Sequence, residues 1–149
     1  MRVFPEYPGP MARWPRVEAV QGVAEALQSL GVHYRLVVAT NAAESGCELV
    51  REALRRVDLD QCFDAVLTAR ELGVRKPDPA FFQRALEVLG CTPQEAAMVG
   101  DDYEADVVGA KRAGLQAFWF NPSGSSCPII PPLHDAELNA MAELPGHIS

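Results

Sequence analysis

The feature of this sequence that most constrains its fold is the alternation of short apolar runs with segments of helical periodicity. The apolar runs are rich in β-branched or aromatic residues and have the length of buried strands: 34–40, 63–68, 96–100 and 115–120. The segments with apolar residues at helical spacing are 17–30, 44–57, 78–90 and about 103–113. This alternation predicts an α/β fold, a Rossmann-like three-layer sandwich around a mostly parallel sheet.

The two ends of the chain do not follow this alternation. Residues 1–16 are rich in proline and predict an atypical strand and loop. Residues 122–132, "PSGSSCPIIPP", predict an irregular segment, and 135–144, "DAELNAMAEL", predict a short closing helix. With 149 residues and no internal repeat, the chain is expected to form a single domain over 1–149.

Charge and composition exclude several classes of function. The net charge is −7 and basic residues occur only singly or in pairs, which argues against a nucleic-acid surface. No apolar stretch reaches the ~20 residues of a membrane span, and the start does not resemble a signal peptide. We therefore expect a cytoplasmic protein. The cysteines lie far apart, without a CxxC pair, and predict buried reduced thiols rather than zinc ligands or disulfides: Cys47, Cys62, Cys91 and Cys127.

Polar residues follow the predicted strands at the positions where parallel sheets bind ligands, the carboxyl ends of the strands. Thr40 and Asn41 follow one strand, Lys76 lies in a loop before a helix, and Asp101 and Asp102 follow another strand. Taken singly, Thr40 and Asp102 would cap helices and Lys76 would be a solvated lysine. Together, a hydroxyl, a lysine and a pair of carboxylates are the groups that phosphoryl chemistry requires, because they bind phosphate oxygens, offset negative charge and hold magnesium.

Three segments resemble the second, third and fourth motifs of the haloacid dehalogenase (HAD-like) superfamily, whose members are mostly phosphatases. They are "VVATNA", "GVRKPDPAFFQRALEVLG" and "MVGDDYEADVVGAKRAG". Three motifs in the right order are more specific than any one alone, and the resemblance covers residues 17–121. It implies a HAD-like core and a hydrolase of phosphoric monoesters.

The resemblance also implies roles for individual residues. Thr40 and Asn41 would line the phosphate pocket, and Lys76 would steady the nucleophile and the phosphoryl group. Asp101 would ligate Mg²⁺, and Asp106 would support Lys76 or the outer shell of the metal. The expected ligand is a small phosphorylated molecule or an inorganic anion.

The family reaction begins at a first motif, usually DxDGT, whose first aspartate attacks phosphorus. This chain has no aspartate before Asp58. If Arg2–Phe4 is a remnant of the first strand, Pro5 occupies the position of the nucleophile. Glu6 is a weak candidate, because its extra methylene displaces the attacking oxygen by more than the ~1 Å that already costs about a hundredfold in rate. A proline-stiffened loop over 5–16 is the better interpretation.

The missing motif also bears on the metal and on the cap domain that many relatives carry. With one of the two metal-ligating aspartates absent, Mg²⁺ binding is expected to be weak. Asp102 is a weaker ligand candidate than Asp101, since it also suits a helix cap. Neither the start of the chain nor the stretch between Asn41 and Lys76 has room for a cap domain. We therefore expect a capless core whose pocket is open or is covered by another subunit.

Three hypotheses stay open at this point. The chain is a capless phosphohydrolase with a non-standard first motif, a binding or interaction protein on a HAD-like scaffold, or an incomplete chain of an active Mg²⁺-dependent phosphatase. We favour a member of the superfamily whose hydrolase activity is in doubt. Trp14, Trp119 and 127–132 are candidates for an exposed patch that forms a homo-oligomer, although such residues more often lie in the core.

Overall fold

The computed structural model describes residues 22–41 and 47–147. These residues fall in two compact units, the first ending at Gly73 and the second beginning at Val74. Several predicted features lie outside the described residues: the strand remnant Arg2–Phe4, Glu6, the loop 5–16, Trp14, and the predicted helical residues 17–21 and 44–46.

Over residues 22–41 and 47–73, the first unit has two parallel strands and three α-helices. Its elements are α1 (Val23–Gly31), β1 (Val37–Thr40), α2 (Cys47–Arg55), β2 (Ala65–Thr68) and α3 (Ala69–Leu72). Val37 lies opposite Ala65 and Thr40 opposite Thr68, so both strands end at the same edge. The short α3 was not predicted. It begins because the Thr68 hydroxyl accepts a hydrogen bond from the N–H of Glu71 at 3.2 Å.

The second unit contains a three-stranded parallel sheet in the order β3, β4, β5. Its elements are α4 (Pro79–Leu89), β3 (Ala97–Gly100), a π-helix (Tyr103–Val108), α5 (Gly109–Arg112), β4 (Gln116–Phe120), β5 (Ala136–Leu138) and α6 (Leu144–His147). Both predicted ends of α4 are confirmed. The Asp78 carboxylate accepts from the N–H of Ala80, and Gly90 closes the helix with a positive φ of 69°.

The predicted closing helix over 135–144 is wrong, because this segment contains β5. The N–H of Asp135 donates to the carbonyl of Ala117 at 2.8 Å, and the N–H of Asn121 donates to the carbonyl of Leu138 at 2.7 Å. Pairing with the edge of β4 satisfies these groups and overrides the local helical pattern. Only α6, beyond a short 3₁₀ turn, is helical here.

The segment between β3 and β4 is helical as predicted, but its first part is a π-helix and continues as α5. In this wider turn, the carboxylate of Asp106 reaches back to the N–H of Asp102, at 3.2 Å. Such π segments occur mostly as single turns and frequently at functional sites. The turn thus brings a side chain of the fourth motif to the end of β3.

Burial separates the core from the surface. Trp119 belongs to the core, which is one of the alternatives that its sequence left open, whereas Ile130 is 90% exposed. The prediction of buried thiols is wrong for Cys62, Cys91 and Cys127, which are half-buried, and the side chain of Cys47 lies outside the described residues. None of the described helices is long and apolar enough to cross a membrane.

Candidate functional site

A buried ion pair joins the third motif to the fourth. The Nζ atom of Lys76 donates to Oδ1 of Asp106 at 2.6 Å, and the two side chains are 8% and 7% exposed. The second carboxylate oxygen of Asp106 accepts from the N–H of Asp102. Each oxygen of the carboxylate therefore has its own donor, which holds both charges of the pair in one orientation.

Two glycines make this pair possible. A Cβ atom on Gly100 would collide with the carboxyl group of Asp106. A Cβ atom on Gly109 would lie 2.7 Å from a ring carbon of Phe82 and 3.0 Å from Cα of Pro77, closer than side chains normally approach. The absence of side chains at these positions lets the helical segment pack against the end of β3 and against the loop that carries Lys76.

The electrostatic environment of the pair is set by burial. Burial raises the pKa of the Asp106 carboxyl above its usual value, and the charge of Lys76 with its hydrogen bond opposes this rise. The hydrogen bond from Asp102 also lowers the pKa of Asp106, whereas the nearby negative charge of Asp101 raises it. The hydrogen bond with Asp106 orients the ammonium group of Lys76. The charge of Asp101 lies close enough to affect the pKa of Asp106.

The two aspartates after β3 have different environments. The Asp102 carboxylate accepts from the N–H of Ala105 at 3.0 Å, which confirms it as the cap of the helical segment. The Asp101 side chain is exposed, and its backbone carbonyl accepts from Nε1 of Trp119 at 3.2 Å. Both residues are exposed, so exposure does not distinguish them; Asp101 stays the predicted metal ligand because the Asp102 carboxylate serves as the cap.

The donor set at this strand end fits Mg²⁺. Among residues 22–41 and 47–147, no three or more His, Cys, Asp or Glu side chains form a cluster that could enclose a metal ion. Mg²⁺ does not require such a cluster, because it commonly keeps several waters and binds through one or two carboxylates and the phosphate of a substrate. The exposed Asp101 carboxylate is a hard oxygen of the kind that Mg²⁺ prefers, and its role as a ligand stays a prediction.

The predicted phosphate-binding residues Thr40 and Asn41 belong to the first unit. Thr40 ends β1 opposite Thr68, and Asn41 directly follows it. Both are half-buried and lie at the carboxyl end of the β1–β2 pair. The structure therefore brings Lys76 and Asp106 together at the end of β3, while the phosphate contacts of Thr40 and Asn41 stay predictions.

An aromatic cluster around Trp119, whose indole N–H contacts Asp101, was not predicted from the sequence. The rings of Tyr103 and Trp119 meet edge to face at a centroid distance of 4.9 Å, and His134 lies 5.5 Å from Trp119. Burial raises the pKa of the Tyr103 hydroxyl above its usual value of 10.0. In the sequence, Trp119 is one apolar residue of a strand, and His134 follows an irregular segment, so no spacing signal links them to Asp101.

Comparison with known proteins places this geometry in a family context. The family model described as haloacid dehalogenase-like hydrolase matches residues 2–120. A phosphoserine phosphatase of Thermus thermophilus is 47% identical over 72 residues, which cover 48% of this chain and 29% of that protein. An N-acylneuraminate-9-phosphatase of Rattus norvegicus is 31% identical over 127 residues, covering 85% of this chain and 50% of that one.

Solved structures share the fold. The crystal structure of a 2-haloacid dehalogenase from Pseudomonas syringae pv. Tomato DC3000 superposes with a TM-score of 0.72 at 34% identity, covering 83% of this chain and 50% of that chain. The chain thus spans half or less of the length of each of these three relatives.

Proposed function

This chain belongs to the haloacid dehalogenase-like hydrolase family, and from that premise we propose that it binds the phosphoryl group of a phosphate monoester together with Mg²⁺. Lys76, oriented by Asp106, provides the fixed positive charge, and Asp101 provides the metal ligand. The names of two relatives, a phosphoserine phosphatase and an N-acylneuraminate-9-phosphatase, support a small phosphorylated molecule as the ligand.

The buried ion pair between Lys76 and Asp106 is the observation that carries this proposal. Removing two charges from water costs several kcal/mol per ion, and apolar residues of similar volume are often as stabilising or more so. The ion pair therefore stabilises the fold no more than an apolar pair of similar volume would. Its value lies in holding an ammonium group in a fixed position, where it can offset the charge of a phosphoryl group without reorganising.

Each residue of the site has a distinct task in this proposal. Lys76 offsets the charge on the phosphoryl oxygens, and Asp106 prevents its ammonium group from turning away. Asp101 would hold Mg²⁺, which when bound polarises a phosphoryl oxygen as a Lewis acid.

Hydrolysis requires a nucleophile in addition to these groups. The first aspartate of the chain is Asp58, and the only carboxylate among residues 1–17 is Glu6. An aspartyl phosphate therefore has no aspartate to form on at the place where the family's first motif would lie. We propose that these 149 residues bind a phosphate monoester without hydrolysing it at the rate of a phosphatase.

A hydrolysis assay tests this proposal. The release of p-nitrophenol from p-nitrophenyl phosphate with Mg²⁺ is compared for the wild type, Asp101→Ala and Glu6→Ala. We expect no turnover in the wild type above that of Asp101→Ala. Turnover that Asp101→Ala abolishes would show an active hydrolase and contradict the proposal. Turnover that Glu6→Ala also abolishes would show that Glu6 is required for activity.

A further inference from the structure

We propose that Trp119 is a positioning residue for Asp101, an inference that rests on the proposed role of Asp101 as a metal ligand. The pairing of β3 with β4 ends where Gly100 lies opposite Trp119, so Asp101 is the first residue beyond the ladder. Nε1 of Trp119 donates to the backbone carbonyl of Asp101 at 3.2 Å. This hydrogen bond fixes the backbone of Asp101 at the point where strand pairing no longer does.

The indole ring is itself held by its neighbours. Trp119 is 5% exposed and Tyr103 is 6% exposed, and their rings meet at an interplanar angle of 85°. The ring of His134 packs against both, with centroid distances of 5.5 Å to Trp119 and 5.6 Å to Tyr103. The edge-to-face contacts of Tyr103 with Trp119 and with His134 favour one relative orientation of these rings. We refer to Tyr103, Trp119 and His134 as the aromatic clamp.

Hydrogen bonds of the Tyr103 hydroxyl connect the clamp to the C-terminal segment. The N–H groups of Leu133 and His134 donate to this oxygen at 2.9 and 3.3 Å. A phenolic oxygen has one proton to donate and two lone pairs. The hydroxyl oxygen also lies 2.9 Å from Nδ1 of His134, where the donor of the hydrogen bond depends on the imidazole tautomer. The ring of Tyr103 therefore has a fixed position and direction.

The clamp gives the segment between β4 and β5 a role in the site. Residues 133–134 fix Tyr103, Tyr103 packs against Trp119, and Trp119 holds the Asp101 backbone. Partners that orient a metal ligand typically change metal affinity by about 10–100-fold when they are removed. Trp119 acts on the backbone of Asp101 rather than on its carboxylate, so we expect the lower end, about tenfold.

Trp119→Phe tests this inference, because it keeps an aromatic ring and removes the N–H donor. Titration calorimetry with Mg²⁺ alone is expected to show a Kd about tenfold higher than in the wild type. Phe118→Leu is the matched control. It alters a neighbouring buried residue of β4, 4% exposed, that has no hydrogen bond to Asp101. Its Kd for Mg²⁺ is expected to equal that of the wild type.

A second readout separates this inference from the proposed function. The ¹³C chemical shift of the Asp101 carbonyl in metal-free protein reports the hydrogen bond directly, and it should change in Trp119→Phe but not in Phe118→Leu. An unchanged shift overturns the clamp, as does a Kd that both variants raise equally. Asp101→Asn tests the proposed metal site: if it binds Mg²⁺ as the wild type does, that site is wrong. The carbonyl shift still tests the clamp in that case.

Discussion

Nζ of Lys76 and Oδ1 of Asp106 lie 2.6 Å apart, although the two residues are separated by 30 positions in the chain. Both charges are almost fully buried. A pair of this kind is asymmetric in its energetics, because removing one partner leaves the other charge buried and uncompensated. Replacing one partner and replacing both partners should therefore change the free energy of unfolding by different amounts.

The first prediction concerns the stability of this pair. Lys76→Met should lower the free energy of unfolding by about 3–5 kcal/mol, whereas Lys76→Met combined with Asp106→Leu should restore it to near the wild-type value. Urea unfolding measures both. Lys111→Met is the matched control, since its ion pair with Asp135 is much more exposed, and it should cost only about 0–1 kcal/mol. A double variant no more stable than Lys76→Met would contradict the prediction.

The second prediction concerns the glycine beside the pair. Gly100→Ala places a Cβ atom against the Asp106 carboxyl group, which Lys76 holds in place. The variant should lose about 1–3 kcal/mol of unfolding free energy, as overpacked cores do. Gly146→Ala serves as the control, because a Cβ atom there meets no atom within 4 Å. Equal stability of the two variants would show that Asp106 moves aside without cost.

The third prediction distinguishes the two adjacent aspartates. Asp102→Ala removes the helix cap and should cost about 0.5–2 kcal/mol, whereas Asp102→Asn keeps an oxygen that can accept the N–H of Ala105 and should cost less. Asp102→Asn should also bind Mg²⁺ as the wild type does, and Asp101→Asn should not. Calorimetric titration measures the Mg²⁺ affinity of both variants. Weaker Mg²⁺ binding by Asp102→Asn than by Asp101→Asn would show that Asp102, not Asp101, is the metal ligand.

The fourth prediction is a pH dependence that arises at β5. Burial alone would raise the pKa of Asp135, but hydrogen bonds from the N–H of Ala117 and from Lys111, with the charge of Lys111, lower it below 3.8. A carboxyl group whose pKa is lower in the folded state stabilises the fold above its unfolded-state pKa. That contribution is lost as the pH falls through the lower, folded-state value.

Asp135→Asn removes this contribution. The difference in unfolding free energy between the wild type and Asp135→Asn should be constant above about pH 6 and should shrink on acidification below about pH 4. Urea unfolding over this range measures the difference. A difference that stays constant down to about pH 2 would show that the Asp135 carboxylate is not stabilised by folding.

Local signals predicted the elements whose ends are set by their own residues. Asp78 and Gly90 bound α4 because a side-chain cap and a left-handed glycine act within one turn. The strand β5 had no such signal, because its residues extend only when the edge of β4 is available to pair with them. The local pattern of residues 135–144, considered without β4, therefore indicated a helix.

The candidate site shows the same division. Asp102 was predicted as a cap from its position before a helical pattern, and the structure confirms this. The contact between Lys76 and Asp106 joins distant segments, so only the resemblance to a family could indicate it. The hydrogen bond from Trp119 to Asp101 depends on the register of β3 with β4, which composition and periodicity do not specify.

The central claim, that Lys76 held by Asp106 binds a phosphoryl group, is tested most directly by titrating inorganic phosphate into the protein in the presence of Mg²⁺. The wild type is compared with the double variant Lys76→Met, Asp106→Leu, which is expected to stay folded and to lack both charges. The account predicts phosphate binding by the wild type and none by the double variant. Equal affinity of the two proteins would contradict it.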